Sequence, residues 1–213
     1  MKTVLITGIS RGIGLAAARK FLAEGWQVIG TSTSGKTPVT HPCLKIFPLD
    51  LSDSLSIQTL ASQLPPLDLL INNAAILLES GADVKVDMGL LKKTFAVNVF
   101  GTIELTEHCI DKLHKNARII NISSGWGTFS SNNSAGQPQY KMSKACLNMY
   151  TVLLAARLPD MCVSGLDPGW VKTDMGTEKA PTHPEQVASE IYNLACTSKK
   201  SGYLWSRGHI RDW

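Results

Sequence analysis

The sequence predicts an α/β fold built on one doubly wound parallel sheet of about seven strands with helices on both faces. Short apolar runs alternate with longer segments of helical periodicity, which is the pattern of repeated strand–helix units. The apolar runs lack the in–out alternation of a half-exposed sheet, so we expect strands that are buried on both faces. A length of 213 residues suits one domain spanning residues 1–213 and is short for two.

The individual elements follow from these runs in chain order. Strands are predicted at residues 3–7, 27–31, 44–47, 67–71, 118–122, 161–166 and 202–205. Helices are predicted at residues 13–23, 55–63, 86–113, 139–158 and 184–196. Ligands bind beyond the carboxyl ends of the strands in such a sheet, and the candidate functional residues all follow strand ends.

Composition and charge argue against several classes of protein. The net charge is only +4 and is spread along the chain, so we expect no nucleic-acid partner. No segment approaches the roughly 20 apolar residues of a membrane span. The five cysteines form no Cys-x-x-Cys pair, and the five histidines lack metal-ligand spacing. We therefore predict reduced thiols, no metal site, no membrane partner and a cytoplasmic location.

A glycine-rich loop, Thr-Gly-Ile-Ser-Arg-Gly-Ile-Gly at residues 7–14, joins the first strand to the first helix. Its glycines would allow a tight turn at Gly8, a close approach of backbone to a pyrophosphate at Gly12, and close helix packing at Gly14. The N-terminus of the following helix offers free N–H groups to a phosphate. The loop predicts dinucleotide contacts at Gly8, Ser10, Arg11, Gly12, Ile13 and Gly14, and the alternative is a glycine-rich turn without a ligand.

The segment after the second strand favours NADP(H) over NAD(H). An acidic residue that would bond the ribose 2′-hydroxyl of NAD is expected here, but the chain has none between Glu24 and Asp50. Hydroxyl groups and cations, which attract a 2′-phosphate, are present instead at Ser32, Thr33, Ser34 and Lys36, and Arg11 is in reach from the glycine loop. Lys36 is equally well explained as a solvated loop residue.

A tyrosine and a lysine are four residues apart on a predicted helix, at Tyr140 and Lys144, so they share one face. Carbonyl reduction needs a hydride and a proton, and a tyrosine is a suitable general acid when a nearby cation lowers its pKa. Ser124 ends the fifth predicted strand and could hold a substrate carbonyl oxygen beside Tyr140.

The chain carries four motifs whose residues and order along the chain resemble those of the short-chain dehydrogenase/reductase family. They are the glycine loop at residues 7–14, Asn-Asn-Ala-Ala at 72–75, Tyr-Lys-Met-Ser-Lys at 140–144 and Asp-Pro-Gly-Trp-Val-Lys-Thr at 167–173. The tail at residues 201–213 resembles the small carbonyl reductases of the C-factor and sniffer type. Two departures are Ala75, where the family usually has glycine, and a longer gap between Ser124 and Tyr140.

The resemblance implies a Rossmann-type domain and a role for each matching residue. Lys144 would also bind the nicotinamide ribose, Ser124 would be the catalytic serine with Ser123 as the alternative, and Asn98 would organise a proton path to the lysine. Hydrogen bonds that serve only the fold would also explain Asn98, and a role as a helix cap would also explain Asp50. The implied cofactor contacts are Asp50 and Leu51 at the adenine, Asn73 and Ala74 at the adenosine ribose, and Pro168, Gly169, Val171 and Thr173 at the nicotinamide.

The substrate region is expected to be open. Only residues 175–183 separate the Thr173 region from the last predicted helix, which leaves little room for a lid and suits small or varied carbonyl compounds. Trp126, Phe129 and Trp170 could supply apolar walls, although packing would also explain each of them.

Assembly as a homodimer is expected from the two long helices at residues 86–113 and 139–158, with tetramer and monomer as alternatives. The resemblance implies a four-helix contact between two such pairs. The second helix offers an apolar set at Met142, Leu147, Met149, Leu153 and Leu154.

Two other functions are compatible with parts of this pattern. A nucleotide-binding sensor could use the same fold without catalysis, although it would not need Tyr140, Lys144 and Ser124 together. A sugar-nucleotide epimerase also uses a Tyr-x-x-x-Lys pair, but it is expected to need a substantial C-terminal substrate domain. The sequence therefore predicts an NADPH-dependent reductase of an unidentified carbonyl compound.

Overall fold

One eight-stranded sheet forms the centre of the computed structural model, which describes residues 1–130, 134–197 and 200–213. The strands are β1 Thr3–Ile6, β2 Gln27–Ser32, β3 Leu44–Pro48, β4 Leu67–Asn72, β5 Leu113–Ile122, β6 Cys162–Leu166, β7 Tyr203–Ser206 and β8 His209–Arg211. The helices are α1 Gly12–Ala23, α2 Ser54–Gln63, α3 Met88–Phe95, α4 Thr102–Ile110, α5 Pro138–Arg157 and α6 Pro184–Thr197.

The strand order is β3-β2-β1-β4-β5-β6-β7-β8, and the first seven of these strands are parallel. The chain builds outward from β1 to β3 and then crosses back to place β4 on the other side of β1. Connections leave β1 and β4 in opposite directions, which opens a crevice at their carboxyl ends. The predicted doubly wound parallel fold is thus present, and this crevice is where its site should lie.

An eighth strand, β8, extends the sheet beyond the predicted set and pairs antiparallel with β7. The two strands are joined at Arg207 and Gly208, which both have positive φ angles, as a tight hairpin turn requires. Three mostly polar residues carry no sequence signal for a strand, so β8 was not predictable from periodicity.

The core lies in two layers, one on each face of the sheet. Val4 and Ile6 point to the layer that α1 and α6 cover, while Leu5 points to the layer that α2, α4 and α5 cover. Because both faces are apolar, each strand alternates between two buried environments. This explains why the strand segments read as continuous apolar runs.

The helix predicted at residues 86–113 is wrong in its extent and regularity. The segment contains α3, a π-helical stretch at Ala96–Gly101 and α4, and Leu113 already belongs to β5, where it pairs with Leu67. Gly101 packs so closely on the carbonyl oxygen of Leu51 that a side chain there would overlap it. Contacts of this kind are set by the tertiary fold and leave no trace in helical periodicity.

The apolar set expected on the surface of α5 is divided by the structure. Leu147 and Leu154 are buried, whereas Met142, Met149 and Leu153 are exposed along the opposite side of the helix. The sequence analysis expected all five to form an exposed apolar surface. Two of them are instead buried, because α5 packs against both the sheet and its neighbouring helices.

Within the described part of the chain, every helix is too short or too polar to cross a lipid bilayer.

Candidate active site

A cleft of about 940 Å³ lies at the carboxyl ends of the parallel strands, on both sides of the crevice between β1 and β4. Most of the residues predicted for the site line it. These are Gly8, Ser10, Arg11, Gly12, Ile13, Ser32, Thr33, Asp50, Leu51, Asn73, Ala74, Ser124, Tyr140, Lys144, Pro168, Gly169, Val171 and Thr173. Gly14, Ser34 and Asn98 do not line it.

The glycine loop has the backbone that the sequence predicts. Gly8 and Gly12 have φ angles of 74° and 57°, which side chains disfavour. Gly14 packs against the carbonyl oxygen of Gly8, and a side chain there would overlap it. The side chain of Arg11, the N-cap residue, makes no capping bond to α1, whose first residues Gly12 and Ile13 line the cleft. This cradle fits the pyrophosphate of a dinucleotide.

Thr7 and Asn73 hold the glycine loop to the end of β4. The hydroxyl of Thr7 accepts hydrogen bonds of 2.9 Å from the backbone N–H groups of Asn73 and Ala74. The side-chain amide of Asn73 donates to the carbonyl oxygens of Thr7 and Gly8 at 2.8 and 3.2 Å. Asn73 therefore shapes the cleft through its side chain and lines it, while Thr7 is a structural contributor that sequence reasoning did not single out.

The end of β2 has hydroxyl groups but no carboxylate. The hydroxyl of Ser32 closes the following turn, since it donates to the carbonyl oxygen of Lys36 and accepts from its N–H. Thr33 is exposed and lines the cleft, while Ser34 is exposed and does not line it. The described groups at this position fit a 2′-phosphate better than a free 2′-hydroxyl.

Arg11 does not extend toward the end of β2 as expected. Its guanidinium pairs with the carboxylate of Asp174 at 2.7 Å, across the mouth of the cleft. Both side chains are largely exposed, so the pair is weak and readily exchanged for another anion. No sequence pattern connects these two residues, which lie 163 positions apart.

Asp50 lines the cleft and does not cap α2. Its carboxylate accepts hydrogen bonds from the N–H and hydroxyl of Ser52, which lower the pKa of Asp50. The cap is Asp53, which accepts from the N–H of Leu55 at 3.0 Å. The alternative explanation of Asp50 as a helix cap is therefore wrong.

Tyr140 and Lys144 lie one turn apart on α5, and both are buried. The amine of Lys144 donates to the carbonyl oxygen of Ile122 at 2.8 Å and lies 5.6 Å from the centre of the Tyr140 ring. Burial lowers the pKa of Lys144 to about 8.

The pKa of Tyr140 departs from the sequence expectation. Burial raises it well above the ordinary value, the carboxylates of Asp167 and Glu79 raise it further, and a hydrogen bond with Ser124 lowers it. The lysine amine lies 5.6 Å from the centre of the ring, and burial outweighs the effect of its charge on the pKa of Tyr140. In this state Tyr140 is a protonated phenol, which is the form that a proton donor needs.

The two serines after β5 have different environments. The side chain of Ser124 lowers the pKa of Tyr140, and its hydroxyl accepts from the N–H of Trp126 at 3.1 Å. Ser123 is buried, and its hydroxyl donates to the side-chain oxygen of Asn148 on α5. Ser124 is therefore the serine that acts on the tyrosine, and both line the cleft.

Asn98 lies in the π-helical stretch and is buried beneath the cleft. Its side chain exchanges two hydrogen bonds of 2.8 Å with the backbone of Ile76 and donates to the hydroxyl of Ser143 on α5 at 3.1 Å. These contacts join the segment after β4 to the helix that carries Tyr140, which supports the structural explanation. A part for Asn98 in proton transfer stays a prediction.

Glu79 is a buried carboxylate that sequence reasoning missed. It accepts a hydrogen bond of 3.0 Å from the N–H of Tyr140, so it caps the first turn of α5 from a distant loop. The helix needs this cap because Gln137, just before it, has a left-handed backbone and no capping side chain. An acidic residue in an ordinary loop gives no signal of this role.

The substrate side of the cleft has no helical lid among its described residues. The segment after β6 folds back on itself, and the N–H of Lys172 donates to the carbonyl oxygen of Thr182 at 2.8 Å. Trp126, Trp170 and Met175 line the mouth with partly exposed side chains, whereas Phe129 is almost fully exposed and lies outside the lining. The longer stretch between Ser124 and Tyr140 includes residues 131–133, which lie outside the described residues.

Among the described residues, no three histidine, cysteine or acidic side chains form a cluster that could hold a metal ion.

The chain resembles known proteins over nearly its whole length. The sequence pattern of a family described as short chain dehydrogenase matches residues 2–184. A chain from Burkholderia multivorans, described as a short-chain dehydrogenase/reductase with bound NADP, has a TM-score of 0.91 and 26% identity, covering 100% of this chain and 99% of that one. Carbonyl reductase Sniffer of D. melanogaster has a TM-score of 0.89 and 26% identity over 100% of both chains.

A shorter match is to C-signal of Myxococcus xanthus, with 36% identity over 115 residues, 52% of this chain and 69% of that protein. The full-length structural similarities confirm the predicted α/β fold. Sniffer and C-signal are of the type that the C-terminal tail indicated.

Proposed function

Because the chain belongs to the short-chain dehydrogenase family, we propose that it is an NADPH-dependent oxidoreductase that reduces a carbonyl compound to an alcohol. The observation that carries this proposal is the meeting of Tyr140, Lys144 and Ser124 with the uncapped N-terminus of α1 in one cleft. A phosphate cradle and a proton donor are thereby joined in a single space.

NADPH is the proposed cofactor, with NADH as the weaker ligand. Support comes from the absence of an acidic residue at the end of β2 and from the NADP bound to the Burkholderia multivorans protein. The N–H groups at the start of α1 would hold the pyrophosphate. Thr33, Ser32 and a released Arg11 would surround the 2′-phosphate.

The proposed chemistry divides between the cofactor and three side chains. When bound, NADPH supplies the hydride. The hydroxyl of Ser124 holds the carbonyl oxygen of the substrate, and Tyr140 donates its phenolic proton to that oxygen as the alcohol forms. The amine of Lys144 binds the nicotinamide ribose and supports the phenolate that remains on Tyr140.

The proposed substrates are small or varied carbonyl compounds with apolar groups, such as aldehydes, ketones or quinones. The mouth of the cleft is open and has Trp126, Trp170 and Met175 at its rim. Such a rim favours apolar substituents by contact area without fixing one shape.

The test is an NADPH oxidation assay on the purified full chain with a panel of aldehydes, ketones and quinones, repeated with NADH. We expect turnover of apolar members of the panel and a lower KM for NADPH than for NADH. NADPH binding without turnover of any compound would favour the sensor alternative. Equal KM values for the two cofactors would contradict the cofactor proposal alone.

A homodimer is the proposed assembly. Met142, Met149 and Leu153 form an exposed apolar row along α5, and Phe100 adds an exposed ring on the adjacent π-helical stretch. A second copy of this surface would bury the row. Light scattering in solution should give a dimer that Leu153→Glu dissociates and the control Gln58→Glu, on α2, does not. A monomeric wild type would contradict the proposal.

The cytoplasm is the proposed location. In the described part of the chain, Cys43, Cys109, Cys146 and Cys196 are thiols outside any disulfide, which suits a reducing compartment. Cell fractionation with a tagged full chain would test this, and recovery in a secreted fraction would contradict it.

A further inference from the structure

The hairpin of β7 and β8 brings a cation into the cleft. Nη1 of Arg211, on β8, lies 2.6 Å from Oδ2 of Asp167, which follows β6. The side chain of Asp167 is 5% exposed, and that of Arg211 is 35% exposed. The pair is therefore largely buried, and removal of one partner would leave the other charge without its counterion.

Gly125 provides the space in which the guanidinium lies. A Cβ atom built at Gly125 would be 2.7 Å from Cζ of Arg211, so the guanidinium packs directly on this backbone. Gly125 follows Ser124, the serine whose side chain lowers the pKa of Tyr140. Arg211 thus lines the cleft together with the residues that are proposed to carry the chemistry.

Several charged groups lie around Tyr140. Two carboxylates disfavour its ionisation, Asp167 from the end of β6 and Glu79 from the loop after β4. On α5 itself, the Lys144 amine lies beside the ring, and the Lys141 amine lies over the ring of Trp126, which contacts Tyr140 edge to face. The charge state of the Asp167–Arg211 pair therefore bears directly on the tyrosine.

We propose that Arg211 is a positioning residue, whose guanidinium pairs with Asp167 and prevents an uncompensated negative charge beside the hydroxyl of Tyr140. Arg211 acts through Asp167 and need not touch the substrate. The proposal rests on the proposed function, since it assigns Arg211 a part in the proton transfer by Tyr140.

The sign of the effect follows from electrostatics. An unpaired carboxylate near a phenol opposes formation of the phenolate and raises the pKa of the phenol. Alcohol oxidation with NADP⁺ needs the phenolate of Tyr140 as a base, so its rate rises with pH through that pKa. Loss of Arg211 should therefore move this rise to higher pH.

The experiment measures kcat for oxidation of an alcohol product with NADP⁺ as a function of pH, for the wild type, Arg211→Met and Arg211→Lys. We expect the midpoint of the Arg211→Met profile to rise by about one pH unit, which lowers kcat about tenfold below the midpoint and leaves the high-pH plateau in place. Arg211→Lys should restore the wild-type midpoint, and KM for NADP⁺ should stay within about twofold for both variants.

Two further variants separate the charge effect from a change in packing. Replacing Asp167 with Asn in the Arg211→Met background removes the unpaired charge and should return the midpoint to lower pH. Gly125→Ala keeps both charges but displaces the guanidinium, so it should raise the midpoint of the pH profile as Arg211→Met does. In the Arg211→Met background, Gly125→Ala should cause no further change in the midpoint.

The outcomes distinguish the two proposals. An active wild type whose pH profile is unchanged in Arg211→Met would overturn the role of Arg211 and leave the proposed function intact. So would a loss of kcat at all pH values without a shift in midpoint, since misfolding or misplaced packing would produce it. A wild type that is inactive on the whole panel would overturn both.

Discussion

The guanidinium of Arg11 lies 2.7 Å from the carboxylate of Asp174, so an ion pair joins the glycine loop to the segment after β6 across the mouth of the cleft. The two sides also touch at Gly12, where a Cβ atom would be 3.1 Å from the methyl group of Thr173. The 2′-phosphate of NADPH, when bound, would compete with Asp174 for Arg11.

Asp174→Asn should increase affinity for NADPH, because Arg11 is then free to pair with the 2′-phosphate. An exposed ion pair contributes up to about 1 kcal/mol, so we expect Kd for NADPH to fall by about twofold to fivefold. The measurement is a fluorescence titration with NADPH and with NADH, which lacks the 2′-phosphate. Arg11→Ala should weaken NADPH binding and leave NADH nearly unchanged, and equal changes for both cofactors would contradict this competition.

Tyr140→Phe should retain NADPH binding and lose turnover by about a thousandfold, because only the proton donor is removed. Tyr150→Phe is a matched control on the same helix, since its hydroxyl bonds Glu107 at 2.8 Å, outside the cleft. Steady-state kinetics and a Kd for NADPH, measured on both variants, would check the prediction. Comparable turnover in Tyr140→Phe and the wild type would refute the assignment of the proton donor.

Lys144 should make stability depend on pH in a defined window. Its pKa is lowered from 10.5 to about 8 by burial, so the unfolded chain binds more protons between these two values. The free energy of unfolding of the wild type relative to Lys144→Met should therefore rise from pH 8 to pH 10.5, by up to about 3 kcal/mol, and stay constant below pH 8. Urea unfolding of both proteins across this range measures the difference.

Using the difference between the two proteins cancels the titration of other groups, such as Cys109, whose pKa burial raises to about 12. A constant difference across the window would show that the amine of Lys144 is solvated or paired in the folded protein.

Gly14→Ala should destabilise the fold and abolish cofactor binding, because the new methyl group would overlap the carbonyl oxygen of Gly8, which is fixed backbone. We expect a loss of about 2 kcal/mol or more in the free energy of unfolding. Gly81→Ala is the matched control, since nothing lies within 4 Å of a Cβ atom at Gly81. Thermal melts and NADPH titrations of the two variants give the comparison, and equal stability would contradict the packing at Gly14.

Most of the fold and much of the site were predictable, because the relevant signals are local. Apolar runs buried on two faces indicate parallel strands, and glycines after β1 indicate a loop that only glycine can form. The i, i+4 spacing of Tyr140 and Lys144 indicates a shared helix face whatever the helix packs against.

Other features depend on contacts between distant parts of the chain. Gly101 meets Leu51, and the helix around it becomes π-helical. Glu79 caps α5, although 61 residues separate it from Tyr140. Neither contact has a periodic or motif signal, so no sequence pattern could have indicated them.

The sequence by itself determined the parallel α/β sheet, the phosphate loop and the Tyr140–Lys144 pair, since these depend on periodicity, backbone freedom and spacing within a few residues. Only the tertiary structure decided which charges lie near the tyrosine. Asp167 and Glu79 act on it from two separate elements, Arg211 pairs with Asp167 from a third, and burial of Tyr140 raises the pKa that the nearby lysine was expected to lower. The pKa of Tyr140 depends on distances between charges and on desolvation. The fold sets both of these, and the order of residues does not.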